Sequence, residues 1–197
     1  MSKEIKQTGI KLAGNWKAGW AIDLHTLRSV PLGDGSFDTT YTKIGRALSL
    51  LKYQSDFSQL PIIVELAVEF LRTRFVTPYL NVILPVPPTN VKRTRQPVFE
   101  IAKKIGETLN IIVDLNYIIK IKETDQLKNI SEPSERKELI KNAYQIKDER
   151  YANKKVLLFD DLYRSGITLN EITKILYEKG KVENVYVLTL TKTRTKK

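Results

Sequence analysis

A mixed α/β fold, with a mostly parallel sheet flanked by helices, is what this sequence predicts. The second half of the chain alternates short apolar strand runs with segments of helical periodicity. The run Val156 to Phe159 then passes through a small-residue turn straight into a helical pattern. Length sets the scale: 197 residues at 42% hydrophobic composition can close one substantial core and are too few for two ordinary domains. The expected organisation is an N-terminal hood with its helices, residues 1–75, set against a core of residues 76–197, all in one compact unit.

In chain order, residues Gly9 to Asp38 carry turn residues and two tryptophans, Trp16 and Trp20, without clear periodicity, which suggests a small flap. Ile44, Ala47, Leu48 and Leu51 mark an amphipathic helix. Ile63, Leu66, Ala67 and Phe70 mark a second, begun near Pro61. Val82 to Val86 reads as a buried strand ending at a proline pair, and Pro97 opens a helix with Val98, Ile101, Ala102 and Ile105 on its apolar face. Ile111 to Val113 and Tyr117 to Ile119 look like strands. The polar stretch Lys122 to Glu135 lacks apolar periodicity and reads as a long loop of the kind that forms lids. Lys137 to Tyr144 is a short helix or turn, Val156 to Phe159 a strand, and a helix runs from about Ile167 to a stop at Gly180. Val185 to Leu190 completes a second strand–helix–strand unit, whose right-handed crossover gathers the loops at the carboxyl ends of the strands on one edge.

Composition excludes several chemistries. Without cysteine there are no disulfides, thiolate zinc sites or cysteine nucleophiles, and the one histidine, His25, cannot build a histidine metal cluster. A metal here must be held by oxygen, which favours Mg²⁺. No apolar run approaches the roughly 20 residues that span a bilayer, and the start MSKEIKQTG lacks a signal-like apolar stretch. The expectation is a soluble, cytoplasmic protein without membrane contact. The net charge of +11 implies attraction to phosphate. It concentrates at Lys92, Arg93 and Arg95 and at the tail residues Lys192, Arg194, Lys196 and Lys197, which also read as a solvated face and a frayed end.

The segment VLLFDDLYRSGITL, Val156 to Leu169, carries the chemistry. A buried strand delivers Asp160 and Asp161 to the crevice mouth. The turn Arg164-Ser165-Gly166-Ile167-Thr168 presents backbone N–H groups at a helix start, where four donors lack partners and the dipole is positive. Gly166 permits unusual dihedrals, and the Ser165 and Thr168 hydroxyls can donate to phosphate oxygens. A phosphate cup beside two carboxylates suits a sugar phosphate. Two other readings compete. The string VLLFDD would serve as the magnesium-side strand of a P-loop ATPase, but no GxxxxGK[ST] is present; or the aspartates merely solvate a strand end.

Val156 to Leu169 resembles the ribose-phosphate signature of type I phosphoribosyltransferases, and the chain from about Leu48 onward resembles the competence-protein-F (ComF) family. LSLLKYQSD (Leu48 to Asp56), LPVPPTNVKRTRQP (Leu84 to Pro97), Glu135-Arg136 with Ala143-Tyr144, and the C-terminal VYVLTLTKTR carry the likeness over about three quarters of the chain. The resemblance implies a Rossmann-like sheet of the type I phosphoribosyltransferase fold. It makes Asp160 and Asp161 the catalytic acceptors for the ribose hydroxyls and the indirect holders of Mg²⁺, and Arg164, Ser165, Gly166, Ile167 and Thr168 the 5′-phosphate loop. Val86, Pro87, Pro88 and Thr89 become the pyrophosphate loop, with Arg93 or Arg95 beside it. Lys122 to Arg136, with Lys128 and Arg136, becomes a mobile catalytic loop. Pro87-Pro88 taken alone is an ordinary strand-ending turn.

The departures are informative. Many ComF relatives begin with a cysteine-rich zinc module, whereas Gly14 to His25 occupies that end here. In hypoxanthine-type relatives an aspartate at the Arg164 position handles a purine proton, which an arginine cannot do. His25 is a substitute base only if it is not structural. Two functions follow as expectations. In one, a transferase moves ribose 5-phosphate from Mg-phosphoribosyl pyrophosphate to a nitrogen nucleophile with release of pyrophosphate. In the other, a binding module senses the same ligand while its basic surface holds single-stranded DNA in uptake or processing, with Trp16 and Trp20 as candidate stacking platforms.

Overall fold

The computed structural model describes residues 9–88, 93–122 and 140–194. Its central sheet has the strand order β1-β2-β10-β9-β5-β6. These are β1 (Ile10–Lys11), β2 (Ala18–Leu24), β5 (Val82–Pro85), β6 (Ile112–Val113), β9 (Lys155–Tyr163) and β10 (Asn184–Lys192). Only the β1–β2 pairing is antiparallel, and the other four are parallel. The mixed α/β class with a mostly parallel sheet flanked by helices is therefore as expected. Two small antiparallel ribbons lie outside this sheet: β3 (Thr26–Pro31) with β4 (Phe37–Tyr41), and β7 (Ile118–Lys120) with β8 (Tyr144–Ile146). Among the described residues no helix is long and apolar enough to cross a membrane.

The strands of β9 and β5 are apolar on both faces because helices cover both. Val156 and Leu158 pack with Leu169, Ile172, Leu176, Tyr117 and Tyr144, on the side of helix α4 (Ile167–Glu178). Leu157 and Phe159 pack on the opposite side with α1 (Lys43–Tyr53), α2 (Leu60–Arg72) and α3 (Pro97–Leu109). The helix signals in the sequence have local causes. Thr42 caps α1 by accepting the Gly45 N–H at 3.0 Å. Pro61 and Pro97 stand in the first turns of α2 and α3, where a missing N–H costs nothing.

Connectivity fixes where a ligand can sit. From β5 the chain crosses through α3 to β6 at one edge, and from β9 it crosses through α4 to β10 in the other direction. The carboxyl ends of the neighbours β5 and β9 thus form a switch point, which opens a crevice. β5 stops there because Pro87 and Pro88 have no N–H to give; its last bond is Val86 N–H to the Phe159 carbonyl, 2.8 Å.

The N-terminal region differs from the expected hood. β2 is an interior strand, hydrogen-bonded in parallel to β10 from Ala18↔Tyr186 to Leu24↔Lys192 and flanked by β1 on its other side. Its alternation is blurred because Gly19, Ala21 and Ile22 are all buried, as an interior strand requires. Trp16 is buried with its indole N–H donating to the Leu12 carbonyl at 3.0 Å, and its ring lies against Gly14 and Gly19. Trp20 stacks on Tyr186, rings 6.5 Å apart and nearly parallel. Both tryptophans are accounted for by packing. The basic end is equally tied down where it is described: Lys192 ends β10, and Arg194 donates to the Leu27 carbonyl at 2.9 Å.

Candidate functional site

A cleft of about 470 Å³ opens at the switch point. Val86, Pro87, Pro88 and Arg93 form one wall, Asp160 and Asp161 the floor, and Arg164 to Thr168 the other wall. Three regions that the sequence singled out separately therefore meet in one place. Thr89, Lys128 and Arg136 lie outside the described residues.

The strand carrying the aspartates is longer than the apolar run suggests. β9 continues through Asp160 and Asp161 to Tyr163, because β10 pairs with it as far as Lys192↔Tyr163. The two carboxylates consequently do not emerge together beyond a strand end; as neighbours on a strand they address opposite faces. Asp161 points to the α1 side, where its Oδ2 meets Lys52 Nζ at 2.7 Å. Asp160 belongs to the α4 side, where its charge is felt by Tyr144. Asp160 Oδ1 also accepts the Asp161 backbone N–H at 2.8 Å. Burial, and then the Asp161 charge, push the Asp160 carboxyl up to about 7. Burial opposes the charge on Lys52, but the Asp161 carboxylate outweighs it and holds the ammonium above its ordinary value.

The turn beyond β9 is a helix N-terminus. Gly166 caps α4 with φ 74°, and the first helical bond runs from Asn170 N–H to the Gly166 carbonyl at 2.9 Å. The N–H groups before Asn170 in this first turn have no intrahelical acceptor and face a positive dipole end. Gly166 is required twice over. Its dihedral disfavours any side chain, and a Cβ there would fall 2.7 Å from the Tyr163 hydroxyl. Gly166→Val is expected to weaken inorganic phosphate or ribose 5-phosphate binding at least tenfold and to lower stability by about 1–3 kcal/mol. Calorimetric titration and thermal melting check both; unchanged affinity would remove this turn from the site.

The N-terminal segment braces the cup. Asn15 and Asn170 exchange two hydrogen bonds of 2.9 Å, the Asn170 side chain donates to the Gly166 carbonyl, and the Tyr163 hydroxyl donates to the Ala13 carbonyl at 3.3 Å. Trp16 meets Tyr163 edge to face.

The two arginines of the Leu84 to Pro97 stretch part company. Arg93 lines the cleft and donates to the Lys52 carbonyl at 2.8 Å, whereas Arg95 lies 3.6 Å over the Phe57 ring, near Glu100, and does not line it. His25 also stands outside the cleft lining: its Nδ1 bonds Thr191 Oγ1 at 3.2 Å, and burial followed by the Lys52 charge lowers its pKa. Those contacts describe a structural histidine. Several lining residues escaped the sequence reading, Lys52 and Tyr144 among them. Burial and the Asp160 charge push the Tyr144 hydroxyl up to about 12, with the Thr168 side chain acting against them. Both lay in stretches noted for resemblance, LSLLKYQSD and Ala143-Tyr144, but nothing local told them from packing residues.

Oxygen donors alone, without cysteine or an available histidine, fit Mg²⁺. Among the described residues no three acidic, histidine or cysteine side chains come together.

No protein-family model and no curated protein matches this chain. Solved structures to which it is similar include UMP synthase of Leishmania donovani, with 18% identity and a TM-score of 0.40 over 81% of this chain. The match spans 27% of that synthase's length. Adenine phosphoribosyltransferase of Leishmania tarentolae matches at 14% identity and TM-score 0.45, covering 80% of this chain and 78% of that one. Orotate phosphoribosyltransferase of Aeropyrum pernix matches at 12% and 0.45, covering 85% and 88%. These likenesses are remote, and what the cleft can do follows from its own residues.

Proposed function

We propose that this cleft binds 5-phosphoribosyl-1-pyrophosphate with Mg²⁺ and that the protein is a ComF-like phosphoribosyltransferase, moving ribose 5-phosphate to a nitrogen nucleophile with release of pyrophosphate. One observation carries the reading: a helix N-terminal cup, two adjacent carboxylates and a cation-bearing wall share a single crevice at the β5–β9 switch point.

Each group has a task on this reading. The N–H groups of Gly166 to Thr168, with the Ser165 and Thr168 hydroxyls, hold the 5′-phosphate. Asp160 and Asp161 accept from the ribose hydroxyls and favour positive charge at the anomeric carbon as the leaving group departs. Val86 to Pro88 and Arg93 flank the pyrophosphate end. Mg²⁺, held by Asp160, Asp161 and the ligand's own oxygens, would supply charge neutralisation of the pyrophosphate. With a leaving group of this quality, positioning and electrostatics suffice without a general base. Arg164 in the cup argues for an acceptor other than one needing a carboxylate to take its proton.

A thermal-shift series with phosphoribosyl pyrophosphate, Mg²⁺, and both together tests the proposal. Ligand at about a hundred times its dissociation constant stabilises by about 2.7 kcal/mol, equivalent to a rise of roughly 5–10 °C for a chain of this size. No shift under any condition would undo the assignment. The DNA-holding alternative predicts a steep fall of log affinity with log salt; a flat plot removes it.

A further inference from the structure

We propose that Lys52 is an anion-binding residue of the cleft: it neutralises Asp161 while the cleft is empty and turns to the pyrophosphate of a bound sugar phosphate. This rests on the ribose-phosphate reading above. Lys52 stands in the last turn of α1, where a helix favours a cation. It lines the cleft, and its Nζ lies 2.7 Å from Asp161 Oδ2.

Three facts take it beyond a structural ion pair. The pair is partly open to the cleft, the Lys52 side chain being 28% exposed and that of Asp161 10%. A pair so placed adds little to stability, since exposed pairs are screened and buried ones repay mainly their own desolvation. The ammonium has three donors, and Asp161 is its one ion-pair partner among the described residues.

The Lys52 backbone is also held by a second lining residue, since its carbonyl accepts from Arg93. Both cationic residues line the same cleft as Val86 to Pro88 and the Arg164 to Thr168 cup, with the Lys52 ammonium at Asp161. A ligand with hydroxyls in the middle and an anion at each end suits a cleft lined by carboxylates, cations and a helix N-terminus. When ribose hydroxyls donate to Asp161, the ammonium is freed to serve the distal anion.

The test is calorimetric titration of the full chain with inorganic pyrophosphate, ribose 5-phosphate and phosphoribosyl pyrophosphate. Lys52→Gln is expected to weaken pyrophosphate and phosphoribosyl pyrophosphate about tenfold or more while ribose 5-phosphate stays within about twofold, as one lost charged contact predicts. Lys52→Arg restores much of the loss. Lys52→Gln/Asp161→Asn, which leaves no unpaired charge, recovers thermal stability but not pyrophosphate affinity. Undiminished pyrophosphate binding in Lys52→Gln overturns the assignment, as does a proportional loss of all three ligands, which marks a merely structural residue. If the unaltered protein binds neither sugar phosphate, the reading of the cleft falls and takes Lys52 with it.

Discussion

Asp160→Asn is expected to make the protein more stable at pH 8 and at the same time weaken its hold on ribose 5-phosphate. The carboxyl is buried beside a second carboxylate, and its pKa in the folded chain is raised to about 7. In the unfolded chain it titrates near an ordinary carboxylate value of about 4. Between those values the folded state holds more protons than the unfolded state, so stability falls as pH rises through the window and levels off above it. The asparagine variant lacks this fall. Its advantage should therefore be small at pH 4, grow towards pH 7 and then hold at about 1–3 kcal/mol, read from denaturant melts across pH. Burial sets the effect first and the Asp161 charge second, with the Asp161 backbone N–H and Lys52 acting against them. An equal difference at every pH would show that Asp160 is not the titrating group. Ligand affinity runs the other way: binding by the parent chain should strengthen between pH 6 and 8 as the acceptor carboxylate ionises, and binding by Asp160→Asn should not.

Asp161→Asn is expected to cost the most in function. On the proposed reading this carboxylate lies beside the carbon that becomes cation-like, so losing its charge should slow pyrophosphate release about a hundredfold or more. The substitution also strands Lys52. Removing one partner of a well-buried pair costs several kcal/mol, but the Lys52 side chain is 28% exposed, so about 1–2 kcal/mol is expected here. Pyrophosphate release with Mg²⁺ and a panel of nitrogen nucleophiles measures the first effect, and thermal melting the second. A variant that folds and releases pyrophosphate at the parent rate removes Asp161 from the reaction. Tight ligand binding by the parent chain with no release on any nucleophile would establish the binding-module alternative.

Much of this protein is local in origin and therefore readable from the chain. The helices announce themselves by spacing, as Ile44, Ala47, Leu48 and Leu51 do in α1, because an amphipathic face has a period of its own. The cup at the start of α4 is local too: a strand, a glycine at φ 74° and a helix start are contiguous, and Gly166 is the residue such a backbone demands. Proline placed the starts of α2 and α3 and the end of β5 by the same local logic.

Pairing across the sheet was not readable, since no residue carries the identity of its distant partner. β2 looked patternless because an interior strand needs small or apolar residues on both faces rather than alternation. β9 outran its apolar run because β10, some 30 residues on, extends the ladder to Tyr163. That extension sends Asp160 and Asp161 to opposite faces and so gives each its own surroundings, Tyr144 for one and Lys52 for the other. The choice between Arg93 and Arg95 was likewise made by what lay opposite, the Lys52 carbonyl for one and the Phe57 ring for the other. The sequence by itself determined the cup and its carboxylates. Only tertiary structure decided which cation neutralises which aspartate, because that depends on the packing of α1 against β9, contacts over a hundred residues apart along the chain.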